Sequence, residues 1–181
     1  WADKHKLNHP IKTRAIAPTG TIAIVAETTT GVEPIFCAAY KRRYLSDGRV
    51  WNYQYVIDPT AKRLVEKGVD PEKIEDAYSL SLDIERRLAF QAWLQGFVDQ
   101  SISSTINMPE WGSPANNEEM LPIYERILIK YLPRLRGITV YPDGARGGQP
   151  LVPCSYTEAA GKEGVVFEET EERCVGGVCG S

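Results

Sequence analysis

Two cysteines near the end of the chain have the spacing of a redox-active pair. Cys174 and Cys179 are separated by Val-Gly-Gly-Val and are followed by Gly180 and Ser181. A disulfide requires the two Cα atoms to lie within about 4.4–6.8 Å of each other, and the paired glycines give the intervening loop the backbone freedom to close. The sequence therefore predicts a dithiol that is reversibly oxidised to a disulfide.

The segment that carries this pair has the composition of a mobile tail. Between Gly161 and Arg173, five glutamates accompany one lysine and one arginine, which favours solvation over packing. We therefore expect residues 147–181 to form a flexible tail on which the dithiol can move. A zinc-stabilised module, in which Cys154 joins the pair as a third ligand, is the alternative. The lack of a second short-spaced Cys or His pair favours the redox dithiol, and no metal site is predicted.

A glycine turn near the start of the chain is the second candidate site. It reads Ala-Pro-Thr-Gly-Thr-Ile, and its candidate residues are Pro18, Thr19, Gly20, Thr21 and Ile22. Threonine hydroxyls and backbone N–H groups around a glycine can converge on phosphate oxygens, especially where a helix begins. The lysine of a P-loop is absent. On these residues alone, an ordinary β-turn whose threonines bond their own backbone is favoured over a phosphate site.

The strands and helices predicted around these candidate residues alternate along the chain as in an α/β fold. Hydrophobic periodicity and turn residues predict a strand over 15–17, helices over 59–68, 83–97 and 117–132, and strands over 101–107 and 137–141. Strands separated by helices of this length are usually parallel.

Particular side chains within these elements carry further expectations. In the helix over 83–97 we expect an apolar face formed by Ile84, Leu88, Ala92, Trp93 and Phe97. The charged outer face is expected to consist of Glu85, Arg86 and Arg87. Asn116 or Asn117 can cap the next helix. The segment Tyr40–Tyr44 has the pattern of an exposed strand or loop, and Glu33, before Pro34, is assigned a structural role in a turn.

Composition limits the class of protein. The chain has 181 residues, of which 43% are hydrophobic and 25% charged, with a formal net charge of −3. Such a chain can bury a core of its own, and its charge does not point to nucleic acid. It has neither a membrane-spanning run nor a signal peptide pattern, and its cysteine content suits the reducing cytoplasm. Because it begins at Trp1, we expect it to be a fragment of a longer protein.

Five segments, in this order, resemble the C-terminal part of the catalytic subunit of ribonucleotide reductases. They are Ala17–Ile22, Thr30–Pro34, Asp99–Ser103, the strand Gly137–Tyr141 with Asp143, Gly144 and Arg146, and the pair Cys174 and Cys179. The resemblance covers nearly the whole chain. It implies that residues 1–146 are the closing portion of a ten-stranded α/β barrel and that residues 147–181 are a mobile redox tail.

The resemblance also implies a function and a role for each candidate site. Members of this family convert ribonucleotides to deoxyribonucleotides for DNA synthesis, starting from a cysteine thiyl radical. The loop that matches Pro18–Ile22 holds the substrate phosphates. The pair that matches Cys174 and Cys179 re-reduces the active-site disulfide and is itself reduced by thioredoxin or glutaredoxin. The thiyl cysteine, its partners and the allosteric sites would all precede Trp1.

The class of reductase follows from the strand that ends at Tyr141. Class I enzymes, which take their radical from a separate metal-loaded subunit, carry two adjacent tyrosines there, whereas this chain has one. That strand and the segment Ser103–Pro109 are more similar to class II, whose radical comes from adenosylcobalamin, the vitamin B12 coenzyme containing cobalt. The substrate is a ribonucleoside diphosphate or triphosphate, with the diphosphate favoured, and a homodimer would form through regions outside this chain. A class I enzyme and a nucleotide-binding module without redox catalysis are the alternatives.

Overall fold

The structure, a computed structural model, describes residues 1–9, 11–46, 50–145 and 151–168. It comprises two compact units. The parallel unit contains the described residues of Trp1–Cys37 and Lys73–Gly147, and the antiparallel unit contains those of Ala38–Glu72 and Gly148–Ser181.

The helices and strands of both units have the following bounds. The helices are α1 (Ala2–His5), α2 (Gly20–Val25), α3 (Pro59–Glu66), α4 (Ile84–Gln95), α5 (Leu121–Tyr131) and α6 (Tyr156–Ala160). Short 3-10 helices span Pro71–Lys73, Ser79–Leu82, Glu118–Met120 and Leu132–Arg134. The strands are β1 (Ala39–Ser46), β2 (Val50–Ile57), β3 (Thr105–Met108), β4 (Thr139–Pro142), β5 (Leu151–Pro153) and β6 (Val166–Glu168).

Neighbouring parallel strands form the framework of the parallel unit. β3 pairs with β4 in parallel over its whole length, and Ile16 forms a parallel bridge with Ile102 just before β3. The bridge is made by the N–H of Ile16, which donates to the Ser101 carbonyl at 3.1 Å, and by the N–H of Ser103, which donates to the Ile16 carbonyl at 2.9 Å. The predicted parallel α/β pattern is therefore confirmed.

Asp99 binds the residues that precede the bridge at Ile16. Its carboxylate accepts from the guanidinium of Arg14 at 3.2 Å and from the backbone N–H of Thr13 at 3.2 Å. These contacts, with the Arg14 hydrogen bond as the largest cause, lower the pKa of Asp99 to about 2. The carboxylate therefore stays charged and paired across the neutral pH range.

Helices α4 and α5 cover the parallel strands through one apolar core. Its buried residues are Ile84, Leu88, Ala92, Ile106 and Tyr131. Asp83 caps α4 by accepting from the N–H of Arg86 at 3.1 Å. Asn117 is a cap, as predicted, although it caps the 3-10 turn that precedes α5. Because Pro122 suits the first turn of a helix, α5 begins at Leu121, four residues later than expected.

The predicted faces of α4 need two corrections. Trp93 and Phe97 are each 57% exposed, so they do not belong to the described core. Arg87, expected on the outer face, is buried. It lies three residues after Ile84 and four before Gln91, both of which are buried, so its position places it on the inner face of the helix.

The antiparallel unit is a four-stranded sheet in the order β5-β1-β2-β6. β1 and β2 pair along their whole lengths, from Ala39 opposite Ile57 to Ser46 opposite Val50. Its buried cluster consists of Ala39, Tyr55, Ile57 and Ala159. α3 begins as predicted at Pro59, and Asp58 caps it by accepting from the N–H groups of Thr60 and Ala61. The strand expected around Tyr40–Tyr44 is thus one arm of a hairpin whose second arm was not predicted.

Part of the predicted flexible tail also has defined structure. β5 pairs with β1, β6 pairs with β2, and α6 lies between β5 and β6 in the chain. Phe167 packs against Tyr53 and Tyr55, with ring centroids 5.7 and 5.1 Å away. Residues 151–168, which we expected to belong to the flexible tail, thus form two strands and a helix whose apolar side chains bury surface against the hairpin.

No helix within the described residues is long and apolar enough to cross a membrane.

Candidate functional site

The glycine turn follows the extended segment that contains Ile16, at the carboxyl edge of the parallel strands. In a parallel ladder the next donor on this segment would be the N–H of residue 18, which proline lacks. The pairing is therefore limited to the isolated bridge at Ile16, and the chain leaves the sheet. Ligands of open α/β sheets bind outside the carboxyl ends of the strands, so the turn lies where a substrate site is expected.

The backbone of the turn presents donors to solvent. Thr19 adopts a left-handed conformation with φ 54°, and α2 begins immediately after it at Gly20. The first helical hydrogen bond of α2 is the one from the N–H of Ala23 to the Thr19 carbonyl, at 2.9 Å. In the described part of the chain, the N–H groups of Gly20, Thr21 and Ile22 have no acceptor, as is usual for the first turn of a helix.

The Thr19 hydroxyl is held by a second turn, residues 30–33, which is closed by the hydrogen bond from the Glu33 N–H to the Thr30 carbonyl. Its oxygen accepts a hydrogen bond from the backbone N–H of Gly31 at 3.0 Å. A hydroxyl that accepts in this way still has its own proton to donate. Thr19 is exposed, so that proton can be donated to a ligand oxygen beside the N–H groups of α2.

Gly31 allows the two turns to approach closely. It has φ +47°, and a Cβ atom built on it would lie 2.9 Å from the carbonyl oxygen of Ala17. That separation is shorter than real Cβ contacts, and the obstacle is backbone, which cannot rotate away. Glycine is required at this position both for its backbone conformation and for the space it leaves.

Glu33 connects the second turn to β3 and α4. One carboxylate oxygen accepts from the backbone N–H of Thr105 at 2.6 Å, and the other accepts from the guanidinium of Arg87. Arg87 also donates to the carbonyl of Thr105 at 3.3 Å and to the hydroxyl of Ser104 at 3.4 Å. The expected structural role of Glu33 is supported by these contacts, whereas Arg87 as its partner was missed.

The structure describes all five predicted residues of the phosphate-binding turn. Pro18, Thr19, Gly20 and Thr21 are exposed, and the Ile22 side chain is exposed as well, with a relative accessibility of 69%. The N–H donors of Gly20–Ile22 and the hydroxyls of Thr19 and Thr21 thus belong to one accessible turn. Such donors can hold an anionic oxygen.

The second predicted site, Cys174 and Cys179, lies outside the described residues. Of the other cysteines, Cys37 is buried and Cys154 is half-buried. Burial is the main cause that raises the pKa of Cys154, and the charge of Glu158 adds to it, so its thiolate is disfavoured. Among the described residues, no group of three or more His, Cys, Asp or Glu is placed to hold a metal ion.

The family described as "Ribonucleotide reductase, barrel domain" matches residues 11–141. A vitamin B12-dependent ribonucleoside-diphosphate reductase of Mycobacterium tuberculosis is 30% identical over 155 residues, which are 76% of this chain and 22% of that protein. The protein of the same name from Thermoplasma acidophilum is 28% identical over 157 residues, which are 77% of this chain and 20% of that protein.

A solved structure has the same fold. The crystal structure of a B12-dependent (class II) ribonucleotide reductase superimposes with a TM-score of 0.62 and 17% sequence identity. The match covers 88% of this chain and 23% of that one. The chain thus spans about a fifth of the length of these relatives, and the expected fold, an α/β portion of a barrel, is confirmed.

Proposed function

The chain belongs to the ribonucleotide reductase family, within its barrel domain, and from this premise we propose that the protein containing it reduces ribonucleotides to deoxyribonucleotides for DNA synthesis. In this proposal the chain contributes two functional sites. The turn Pro18–Ile22 binds the substrate phosphates, and the pair Cys174 and Cys179 restores the reduced active site after each turnover.

The observation that carries the phosphate site is the arrangement of donors around Thr19. Its hydroxyl oxygen is engaged by Gly31 while its proton remains available, and the unpaired N–H groups of Gly20, Thr21 and Ile22 follow directly. Hydrogen bonds to an ionised acceptor are about twice as strong as those between neutral groups. A phosphate would therefore gain several charge-assisted hydrogen bonds from donors that already lie on one exposed turn.

Cys174 and Cys179 perform the reductive half of the cycle by thiol–disulfide exchange. A thiolate of the pair attacks the active-site disulfide, a mixed disulfide forms, and the second thiol resolves it. Two thiols are regenerated in the active site, and the tail pair becomes a disulfide. Thioredoxin or glutaredoxin then reduces that disulfide, in a cytoplasm that keeps thiols reduced. The acidic segment before the pair favours solvation over packing, which suits a pair that must move between two reaction partners.

Adenosylcobalamin is the radical source that we propose, because the similar proteins carry vitamin B12 dependence in their names and Tyr141 is a single tyrosine. When bound, the cofactor supplies the radical that starts the reaction. The residues described do not fit it by themselves. In the described part of the parallel unit the buried side-chain oxygens without a partner are Gln91 Oε1, in α4, and Ser113 Oγ, after β3, and two such oxygens are too few polar atoms to hold the cofactor.

The phosphate site is tested by removing hydroxyl donors from the turn in the full-length protein. We expect Thr21→Val to raise the KM for the ribonucleotide substrate by roughly 10-fold or more, since a hydrogen bond to a charged group is worth roughly 1.5–3 kcal/mol. Thr19→Val combined with Thr21→Val should raise it further. The measurement is steady-state kinetics with ribonucleoside diphosphate and, separately, triphosphate, which also identifies the preferred substrate.

Two controls keep the result specific. Thr19→Ser retains the hydroxyl and should leave the KM within about threefold, since its Oγ can still accept from Gly31. Thr157→Val removes a hydroxyl from an exposed position in α6 and should not change the KM. If the double valine variant binds nucleotide as tightly as the unchanged protein does, the turn is not the phosphate site.

A further inference from the structure

Glu33 lies at the junction of three parts of the parallel unit. Its backbone N–H donates to the Thr30 carbonyl at 2.8 Å and closes the second turn. Its carboxylate reaches β3 through the N–H of Thr105 and reaches α4 through Arg87. The two partners are 72 and 54 residues away from Glu33 in the chain. A single side chain therefore connects the second turn to a strand and a helix that are remote in sequence.

The contact with Thr105 replaces a missing bond of the parallel ladder. After the N–H of Ser103 has donated to Ile16, the next donor on that side is the N–H of Thr105, which would pair with residue 18. The chain has already left the sheet at Pro18, and the Glu33 carboxylate accepts from Thr105 instead. Glu33 thus occupies the position where the chain departs to form the phosphate-binding turn.

The burial of the pair makes this connection rigid. The Arg87 side chain is 9% exposed and the Glu33 side chain 21% exposed. Because a buried charge without its partner is energetically costly, the Arg87 guanidinium and the Glu33 carboxylate hold each other in one geometry. The neighbouring pair, Arg86 with Glu75, also links α4 to a preceding segment, but its side chains are 58% and 56% exposed.

A continuous set of contacts runs from this pair to the Thr19 hydroxyl. Arg87 fixes the Glu33 carboxylate, and Glu33 closes the turn that carries Gly31. The Gly31 N–H in turn fixes the Thr19 oxygen. We propose that Glu33 and Arg87 are positioning residues that set the location of Thr19 and its turn for binding the substrate phosphates. This inference rests on the proposed phosphate site.

The test is a double-mutant cycle in the full-length protein. Glu33→Gln keeps the size of the side chain and an oxygen for Thr105 but removes the charge that faces Arg87. We expect it to raise the KM for the ribonucleotide roughly 10- to 100-fold, the range expected when a binding group is misplaced. The kcat at saturating substrate should stay within about threefold. Glu75→Gln, which breaks the exposed pair of the adjacent arginine, should leave the KM within about twofold.

The decisive measurement is the same substitution in a Thr19→Val background. If Glu33 acts through Thr19, Glu33→Gln should raise the KM of Thr19→Val less than threefold, because interacting residues are not additive. Equal fold-changes in both backgrounds would overturn the proposal. So would an unchanged KM for Glu33→Gln, with the Thr19→Val effect still present. Hydrogen exchange of residues 17–31 should accelerate in Glu33→Gln and not in Glu75→Gln, which checks the placement of the turn without any turnover.

The outcomes separate this inference from the proposed function. If Thr21→Val, which does not touch Glu33, leaves the KM unchanged, the phosphate site itself is wrong and the inference falls with it. If Thr21→Val raises the KM but Glu33→Gln does not, the site stands and only the positioning role fails.

Discussion

The close approach of Gly31 to the Ala17 carbonyl allows a quantitative prediction. Replacing Gly31 with alanine has two consequences that can be separated. The first is the cost of a left-handed backbone conformation in a residue with a side chain, because φ at Gly31 is +47°. The second is the collision of the new Cβ with the Ala17 oxygen at 2.9 Å.

Two other glycines of the parallel unit isolate these effects. Gly112 has φ +89° but no atom within 4 Å of a built Cβ, so alanine there has only the conformational cost. Gly20 has neither a positive φ nor a neighbour within 4 Å. Comparing alanine at all three positions gives the cost of conformation and the cost of collision separately.

The magnitudes follow from these differences. A left-handed residue with a Cβ costs roughly 1–2 kcal/mol, while loss of glycine from the unfolded chain returns about 0.4–1 kcal/mol. Gly112→Ala should therefore destabilise its surroundings by about 1 kcal/mol, and Gly20→Ala should be neutral or slightly stabilising. Gly31→Ala carries an additional overpacking cost of about 1–3 kcal/mol, for a total of about 2–4 kcal/mol.

The assay is hydrogen exchange with peptide-level mass spectrometry on the full-length protein. For each variant, the exchange of the peptides that surround the substitution is compared with that of the same peptides in the unchanged protein. The local opening equilibrium should rise at least about fivefold more in Gly31→Ala than in Gly112→Ala, which corresponds to about 1 kcal/mol. Gly31→Ala should also raise the KM for nucleotide, because it displaces the turn that holds Thr19. Equal opening at both positions would show that the Ala17 contact does not constrain Gly31, and the reasoning about the two turns would be refuted.

Further predictions concern the radical source, the tail and acid stability. The full-length protein should be active with adenosylcobalamin and no second subunit, and activity that appears only with a metal-loaded partner subunit would assign it to class I. Cys174→Ser with Cys179→Ser should preserve a single turnover but abolish thioredoxin-driven multiple turnover, which dithiothreitol should partly restore; full thioredoxin-driven turnover would exclude the shuttle. Because the pKa of Asp99 is lowered to about 2, its contribution to stability is present above about pH 4 and is lost as the pH falls towards 2. The melting temperature of the unchanged protein should exceed that of Asp99→Asn at pH 5, and this difference should shrink as the pH falls from about 4 towards 2. A difference that does not depend on pH would contradict the lowered pKa of Asp99.

Local patterns in the sequence were enough to predict much of the parallel unit. α4 and α5 were predictable because their apolar residues repeat with the period of a helix. The β-prone segments on either side of α5 indicated parallel strands. The Pro-Thr-Gly-Thr turn and the two terminal cysteines could be identified as candidate sites because each is a short motif whose chemistry depends on neighbouring residues.

The antiparallel sheet was harder to predict, although one local signal was available. Asp47-Gly48 stands between segments of alternating residues, a sequence pattern typical of a β-hairpin. The pairing of β5 and β6 with this hairpin has no comparable signal. Tyr55 donates to Glu158 across 103 residues of sequence, and partners at such distances leave no periodic pattern in either segment.

Contacts between distant segments, and not local patterns, support the phosphate-binding turn. The order of residues places Thr19 in a turn and Glu33 before a proline. It did not determine that Gly31 would contact Ala17, or that a charged residue of α4 would point inwards to meet Glu33 and the start of β3. A charge is placed in the interior only when its partner is already there. That partner is supplied by the folding of distant segments, which local residue patterns do not encode.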